Sequence, residues 1–228
     1  MIFHEQPTLG LSALGDGNMG PSEDVRNPNR LEYFERLGIE PRSTRSVKQV
    51  HSRRVVAAEE LPDIRSGLPE ADGLVSGSRD LCLTITVADC VPLYLWDRNG
   101  RGFGIVHSGW KGTGIVLEAV RLLEKRYAVP PADLCAFVGP AIGPCCYRVD
   151  SGRARGFRDE WGAPAVIERG GKSYLDLPGT NRRLLERSGV GRIDVSGLCT
   201  CCSPDLGSYR RQGRAAFSRM IAFIGYLV

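Results

Sequence analysis

The sequence predicts an α+β fold, with mixed short strands and separated helices, over residues 1–228 as a single compact domain. Three observations carry this. Strand-like runs are short and numerous, helical periodicity is confined to a few separated stretches, and the two do not alternate as a strict βαβ series would. A chain of 228 residues with 42% hydrophobic composition can also bury one substantial core.

Taken in order, residues 7–22 carry four glycines and two prolines and read as a loop. A helix follows. Ser22-Glu23-Asp24 offers a cap and acidic first turn, Leu31, Phe34 and Leu37 have helical spacing, and Gly38 ends the run. Pro28 places the start at Asn27, with the proline in the first helical position. Strands are expected at 46–50, 81–87, 91–96, 102–106, 134–138 and 193–196. The clearest helix follows His107, where Val116, Ala119, Leu123 and Tyr127 share a face and Pro130-Pro131 stops the run. Further helices are expected at 181–187, capped by Thr180 or Asn181, and at 214–223.

The charge balance, 30 basic against 26 acidic residues for a net +4, does not call for nucleic acid and suits an enzyme of anionic substrates. No apolar run reaches the roughly 20 residues of a membrane span. Residues 1–5 lack a signal-peptide pattern, so a cytoplasmic protein with no obligate protein partner is expected. The eight cysteines include the adjacent pairs Cys145-Cys146 and Cys201-Cys202, and no zinc-ribbon pair of knuckles appears. They read as thiols. Cys82, Cys135 and Cys202 are expected as small buried hydrophobes, while Cys145, Cys146, Cys199 and Cys201 lie in turn-like polar segments.

The chain has only three histidines. His51 and His107 occur in small, polar surroundings, with Cys90 between them in Ala-Asp-Cys-Val-Pro. Two imidazoles and a thiolate form a three-ligand zinc site that leaves a position open, the pattern of a catalytic metal. A turn supports their meeting. Asp97-Arg98-Asn99-Gly100 signals a hairpin. With Asn99-Gly100 at its tip, Pro92 faces His107, and Cys90 projects from the same face as His107 at a diagonal of roughly 7–8 Å. The same placement would serve a cysteine nucleophile activated by His107, although no third group to orient the imidazole is evident.

Several motifs resemble one family. Gln49-x-His51, Ala88-Asp89-Cys90-x-Pro92, His107-Ser108-Gly109-Trp110-Lys111-Gly112 and Gly139-Pro140-Ala141-Ile142-Gly143 with Tyr147 follow in that order. Leu198-Cys199-Thr200, Ser208-Tyr209-Arg210-Arg211 and Asp16-Gly17-Asn18-Met19 add to them. From about residue 10 onward the chain resembles the YfiH or laccase-domain family, also called multicopper polyphenol oxidoreductase or purine nucleoside phosphorylase. The resemblance implies a four-layer α/β/β/α sandwich and a zinc ion on His51, Cys90 and His107, with copper as the other metal described. It also implies phosphorolysis of adenosine, inosine and methylthioadenosine, deamination of adenosine, or oxidation of phenols. Family members often carry Thr-Arg where this chain has Ser12-Ala13-Leu14, so that arginine is missing here.

The expected substrates are a purine nucleoside and phosphate. Zinc would lower the pKa of a bound water toward about 7, and Asp89 is the sequence neighbour placed to transfer a proton. The amides that open the helix after Gly112, together with Lys111, Arg210 and Arg211, would bind phosphate. Gln49 and Asn18 would bond the base or ribose. A deaminase would lack the usual H-x-E and P-C-x-x-C signature. Laccase chemistry would need more histidines than three. The other classes are a cysteine hydrolase or amidase using Cys90 and His107, and a non-catalytic nucleoside- or metal-binding module.

Overall fold

A computed structural model describes residues 6–61 and 67–227. Residues 1–5, read above for a leader, lie outside the described residues. Two sheets stack face to face. One has six strands, in the order β12 (Arg192–Val195), β8 (Leu134–Val138), β6 (Val91–Asp97), β7 (Phe103–Ser108), β4 (Gly73–Ser76) and β3 (Val55–Ala57). The other has four: β1 (Thr8–Leu11), β13 (Met220–Gly225), β5 (Cys82–Val87) and β2 (Thr44–Arg45). A small third sheet holds β10 (Val166–Arg169), β11 (Lys172–Leu175) and β9 (Arg148–Val149).

Period-2 alternation assigns each strand's side chains to layers. In β6, Leu93 and Leu95 enter a core shared with α2 (Ile115–Tyr127), α3 (Ser151–Trp161) and α4 (Leu177–Arg187). Between them Tyr94 enters the core between the sheets, where its hydroxyl donates to the Gly10 carbonyl at 3.0 Å. In β13, Met220, Ala222 and Ile224 join that inter-sheet core. Ile221 and Phe223 face the other way, onto Tyr33 and Phe34 of α1 (Pro28–Arg36). The order is therefore helix, four-stranded sheet, six-stranded sheet, helices, as the resemblance implied.

The helix α1 starts where Pro28 placed it. The Asn27 side chain accepts from the amides of Asn29 and Arg30, so Ser22-Glu23-Asp24 precedes the helix rather than capping it. The hairpin loop is four residues, not two: Asp97 and Gly102 close it through a 2.9 Å bond. Both loops are centred between Asn99 and Gly100, so the register is unchanged and Pro92 pairs with His107.

Other expectations are corrected. Residues 46–50 are not a strand; only Lys48 makes a bridge, to Glu70. The stretch 7–22 contains β1, paired along β13. The helix expected at 181–187 begins earlier, because Asp176 caps it through the Gly179 amide. The helix expected at 214–223 does not form. Tyr209–Gln212 makes one short helix, α5, and the apolar run after it is β13. No helix among the described residues is long and apolar enough to cross a membrane.

Phe223 is 2% exposed between β13 and α1. Phe223→Ala should therefore cost about 3–5 kcal/mol of unfolding free energy in chemical denaturation. Leu198→Ala, at a residue 55% exposed, should change it by under about 0.5 kcal/mol. Equal effects would refute the four-layer packing.

Candidate metal centre and cleft

His51 and Cys90 lie on passages between the two stacked sheets. His51 is on the connection from β2 to β3, and Cys90 on the turn from β5 to β6. His107 sits near the end of β7, opposite Pro92 at the start of β6. Chain crossing and strand register thus bring all three to one end of the sandwich. Their ligand atoms lie within 4.8 Å of one another. Cys90 Sγ is 3.9 Å from His51 Nε2, and the two imidazole rings meet edge-on with centroids 4.8 Å apart.

Two of the turns are left-handed. His51 has φ +60° and Asp89 has φ +86°, conformations that a side chain normally disfavours. Close approach also demands a glycine. A Cβ on Gly109 would lie 3.0 Å from Cys90 Sγ and 3.1 Å from His51 Cδ2.

The residue that organises the site was not foreseen. Asp72, fully buried just before β4, accepts from the amides of Val50, His51 and Ser52 at 3.2, 3.0 and 2.6 Å. It also accepts from the Ser52 hydroxyl at 2.8 Å and pairs with His107 Nδ1 at 2.9 Å. This is the orienting group that sequence reading found lacking. With Nδ1 committed to Asp72, Nε2 is the nitrogen His107 has left for a ligand.

Charge follows from this geometry. Burial pushes the Asp72 carboxyl up, but the bonds from His107 and Ser52 outweigh it and hold it below the carboxylate range. Burial also pushes the Cys90 thiol up, yet the neighbouring His107 and His51 imidazoles bring it down to about 6. Burial opposes protonation of His107, but Cys90 and Asp72 together raise it to about 9. Without a metal the pair therefore leans to thiolate and imidazolium. A soft divalent ion would stabilise the same thiolate in place of the proton. Two imidazoles, one thiolate, a gap kept open by Gly109 and a carboxylate behind one histidine fit such an ion.

The cluster opens into a cleft of about 480 Å³. Trp110, Tyr147, Tyr209 and Phe217 give it aromatic walls, and Arg153, Arg210 and Arg219 bring guanidinium groups to it. Each of these arginines lies over a ring: Arg153 on Trp110 at 4.6 Å, Arg210 on Tyr147 at 5.3 Å and Arg219 on Phe217 at 4.5 Å. Arg153 and Arg219 were missed because neither lies in a recognisable motif.

The expected binding residues divide. Gln49 and Asp89 line the cleft, but both are engaged. The Gln49 amide exchanges bonds with Thr86. Asp89 accepts from the Thr200 hydroxyl and the Arg210 amide, each at 2.7 Å, so its carboxylate holds a loop. Asn18 lies outside the cleft lining and accepts from the amides of Gly20 and Arg219. Arg211 turns its guanidinium onto the carbonyls of Thr200, Cys201, Ser203 and Leu206. Lys111 packs on Trp110 and lines a neighbouring groove instead. Two of the amides opening α2 are taken as well, Ile115 by Gly112 and Leu117 by Gly114. Cys82 and Cys135 are buried as expected, but Cys202 is exposed.

Comparison with known proteins agrees with this fold. The family model described as multi-copper polyphenol oxidoreductase laccase matches residues 10–227. A protein named purine nucleoside phosphorylase from Deinococcus radiodurans is 37% identical over 221 residues, covering 96% of this chain and 83% of that one. Purine nucleoside phosphorylase YlmD from Geobacillus stearothermophilus is 37% identical over 171 residues, 72% of this chain; that match spans only 62% of the relative's length. The crystal structure of that YlmD superposes with a TM-score of 0.85 at 31% identity, covering 98% and 93% of the two chains. A Bacillus licheniformis hypothetical protein, YfiH, gives 0.83 at 31% identity, covering 96% and 92%.

In metal-stripped protein, alkylation of Cys90 should rise as pH passes about 6 and level off above it, because the thiolate is then fully formed. Cys82, pushed up to about 12 by burial, should stay unreactive. Mass-spectrometric mapping of iodoacetamide adducts against pH reads both. A Cys90 rate still climbing through the ordinary thiol value of 9.0 would contradict the His107 contact.

Proposed function

This chain belongs to the multi-copper polyphenol oxidoreductase laccase family, and from that premise we propose that it is a zinc-dependent purine nucleoside phosphorylase. One observation carries the reading. The His51, Cys90 and His107 donors open into the same cleft as three arginines and a set of aromatic faces. The names of the relatives support the same reaction class.

In phosphorolysis a phosphate oxygen bonds to C1′ of the ribose as the C1′–N9 bond breaks. The base leaves with a proton, and the sugar leaves as its 1-phosphate. The reaction needs an anion site beside a surface for a planar base. Arg219, Arg210 and Arg153 hold the phosphate through charge-assisted bonds, while Trp110 and Tyr147 pack against the nucleoside. Asp89 positions Arg210 by fixing its amide. Asn18 and Arg211 act in the scaffold. His51, Cys90 and His107 would hold the zinc, which when bound would supply a Lewis acid to the cleft. Asp72 orients His107 for that role.

Asp72 also favours a second reading. Cys90, His107 and Asp72 stand in the order of nucleophile, base and orienter, so a metal-free cysteine hydrolase is the alternative. Phenol oxidation through several coppers is disfavoured by the three histidines of the whole sequence.

The test is turnover of adenosine with and without phosphate, before and after chelation. Phosphate-dependent adenine and ribose 1-phosphate, lost with the metal, support the reading. Inosine would mean deamination instead, and chelator-resistant hydrolysis blocked by Cys90 alkylation would mean the hydrolase. Arg219→Ala should raise the KM for phosphate by about tenfold or more, whereas Lys111→Ala should leave it within about twofold. Asp72→Asn should weaken zinc affinity by about 10–100-fold in competition with a chromophoric chelator.

A further inference from the structure

Among the described residues a second set of soft ligands lies outside the cleft lining. Cys145 and Cys146 sit in the turn that follows β8, and Cys199 and Cys202 in the turn that follows β12. The two turns are joined by backbone bonds, from the Ala141 amide to the Leu198 carbonyl at 3.3 Å and from the Thr200 amide to the Ala141 carbonyl at 3.1 Å. All four sulfurs lie within 4.8 Å of one another, with Cys146 to Cys202 at 3.4 Å and Cys145 to Cys202 at 3.7 Å.

Spacing sets the class of occupant. Four sulfurs about 2.3 Å from one tetrahedral ion lie about 3.8 Å from each other. Ligands of an iron–sulfur cluster are spread over several irons. These separations are those of donors around a single ion, and every one of the cysteines is a free thiol.

Three further observations point the same way. The Gly143 amide donates to Cys199 Sγ at 3.3 Å, a bond that favours a sulfur carrying negative charge. A Cβ on Gly143 would lie 3.3 Å from Cys145 Sγ and 3.5 Å from Cys199 Cβ, so the glycine lets the thiols converge. Cationic side chains also gather around the cluster. Arg169 donates to the Cys145 carbonyl at 3.1 Å, Arg210 to the Cys146 carbonyl at 2.8 Å and Arg211 to the Cys201 carbonyl at 3.1 Å. Four thiolates around a divalent ion leave net negative charge for those arginines to offset.

We propose that Cys145, Cys146, Cys199 and Cys202 hold a second metal ion, a structural zinc in a closed all-thiolate site. Zinc replaces the four thiol protons, which leave to solvent, with no change of oxidation state. The ion clips together two turns that carry the cleft rim, Tyr147 through one and, through Thr200 and Asp89, Arg210 through the other. The site stands independently of the phosphorylase reading, since it uses none of the cleft-floor ligands.

The experiment is metal analysis of the full chain purified under reductant without chelator. About two zinc ions per chain are expected in the wild type and about one in His51→Ala, with the remaining ion lost only when Cys145→Ser and Cys202→Ser are added. Failure of the cleft reading would instead remove the other ion. Because the cysteine variants can fail to fold, the wild type supplies the second readout. Its four clustered thiols should resist iodoacetamide until zinc is chelated. Cobalt(II) added to stripped Cys90→Ser protein should give a strong thiolate-to-metal charge-transfer band. Rapid alkylation of all four thiols in native zinc-loaded protein, or a disulfide between Cys146 and Cys202 in protein kept reduced, would overturn the proposal.

Discussion

The buried carboxylate of Asp72 is the constraint on which the site depends. A charged group removed from water is tolerable only when its lone pairs are filled. Here they are filled by three consecutive amides, a hydroxyl and an imidazole. That demand folds the 50–52 segment around the carboxylate and so presents His51, whose left-handed backbone would otherwise be costly. It also fixes the ring of His107 from behind. One side chain therefore sets two of the three donors, and the backbone around it takes part too: the Asp72 carbonyl accepts from the His107 amide at 2.7 Å.

The third donor is set by topology rather than by a hydrogen bond. Cys90 is where the chain leaves the four-stranded sheet for the six-stranded one, and Asp89 makes the turn in a left-handed conformation. The Asp89 carboxylate then reaches forward to Thr200 and Arg210, so the same turn that aims the thiol also secures the cleft rim. The carboxylate beside the cysteine is a structural anchor, which is why it is a poor choice for proton transfer despite its position in the motif.

What could be read in the sequence follows from the range of the interaction. The hairpin register was legible because an Asn-Gly tip centres the pairing whether the loop holds two residues or four. The helix at Pro28 was legible because its cap is two residues from what it caps. β13 was not legible. Both its faces are buried, so the 220–224 run is apolar without alternation and reads equally well as a helix. The β10–β11 hairpin had a signal in Gly170-Gly171, both at positive φ, that went unused. Asp72 lies 35 residues from His107, and no local pattern marks a carboxylate that acts at that distance. The arginines show the same limit. Arg210 and Arg211 are adjacent in a motif, yet one faces the cleft and the other is consumed by loop carbonyls.

The thiolate–imidazolium lean of Cys90 and His107 explains why two chemistries compete on one geometry. An orienting carboxylate that raises the basicity of a histidine serves a cysteine nucleophile and a metal ligand alike. His51 favours the metal reading. In a nucleophilic pair the second imidazole, 3.9 Å from the sulfur and held by the same carboxylate that serves His107, would only add to the thiolate stabilisation that His107 already gives. A three-donor metal site needs that imidazole where it is. The left-handed backbone at His51 brings a third donor to the cluster, and only the metal reading makes use of all three.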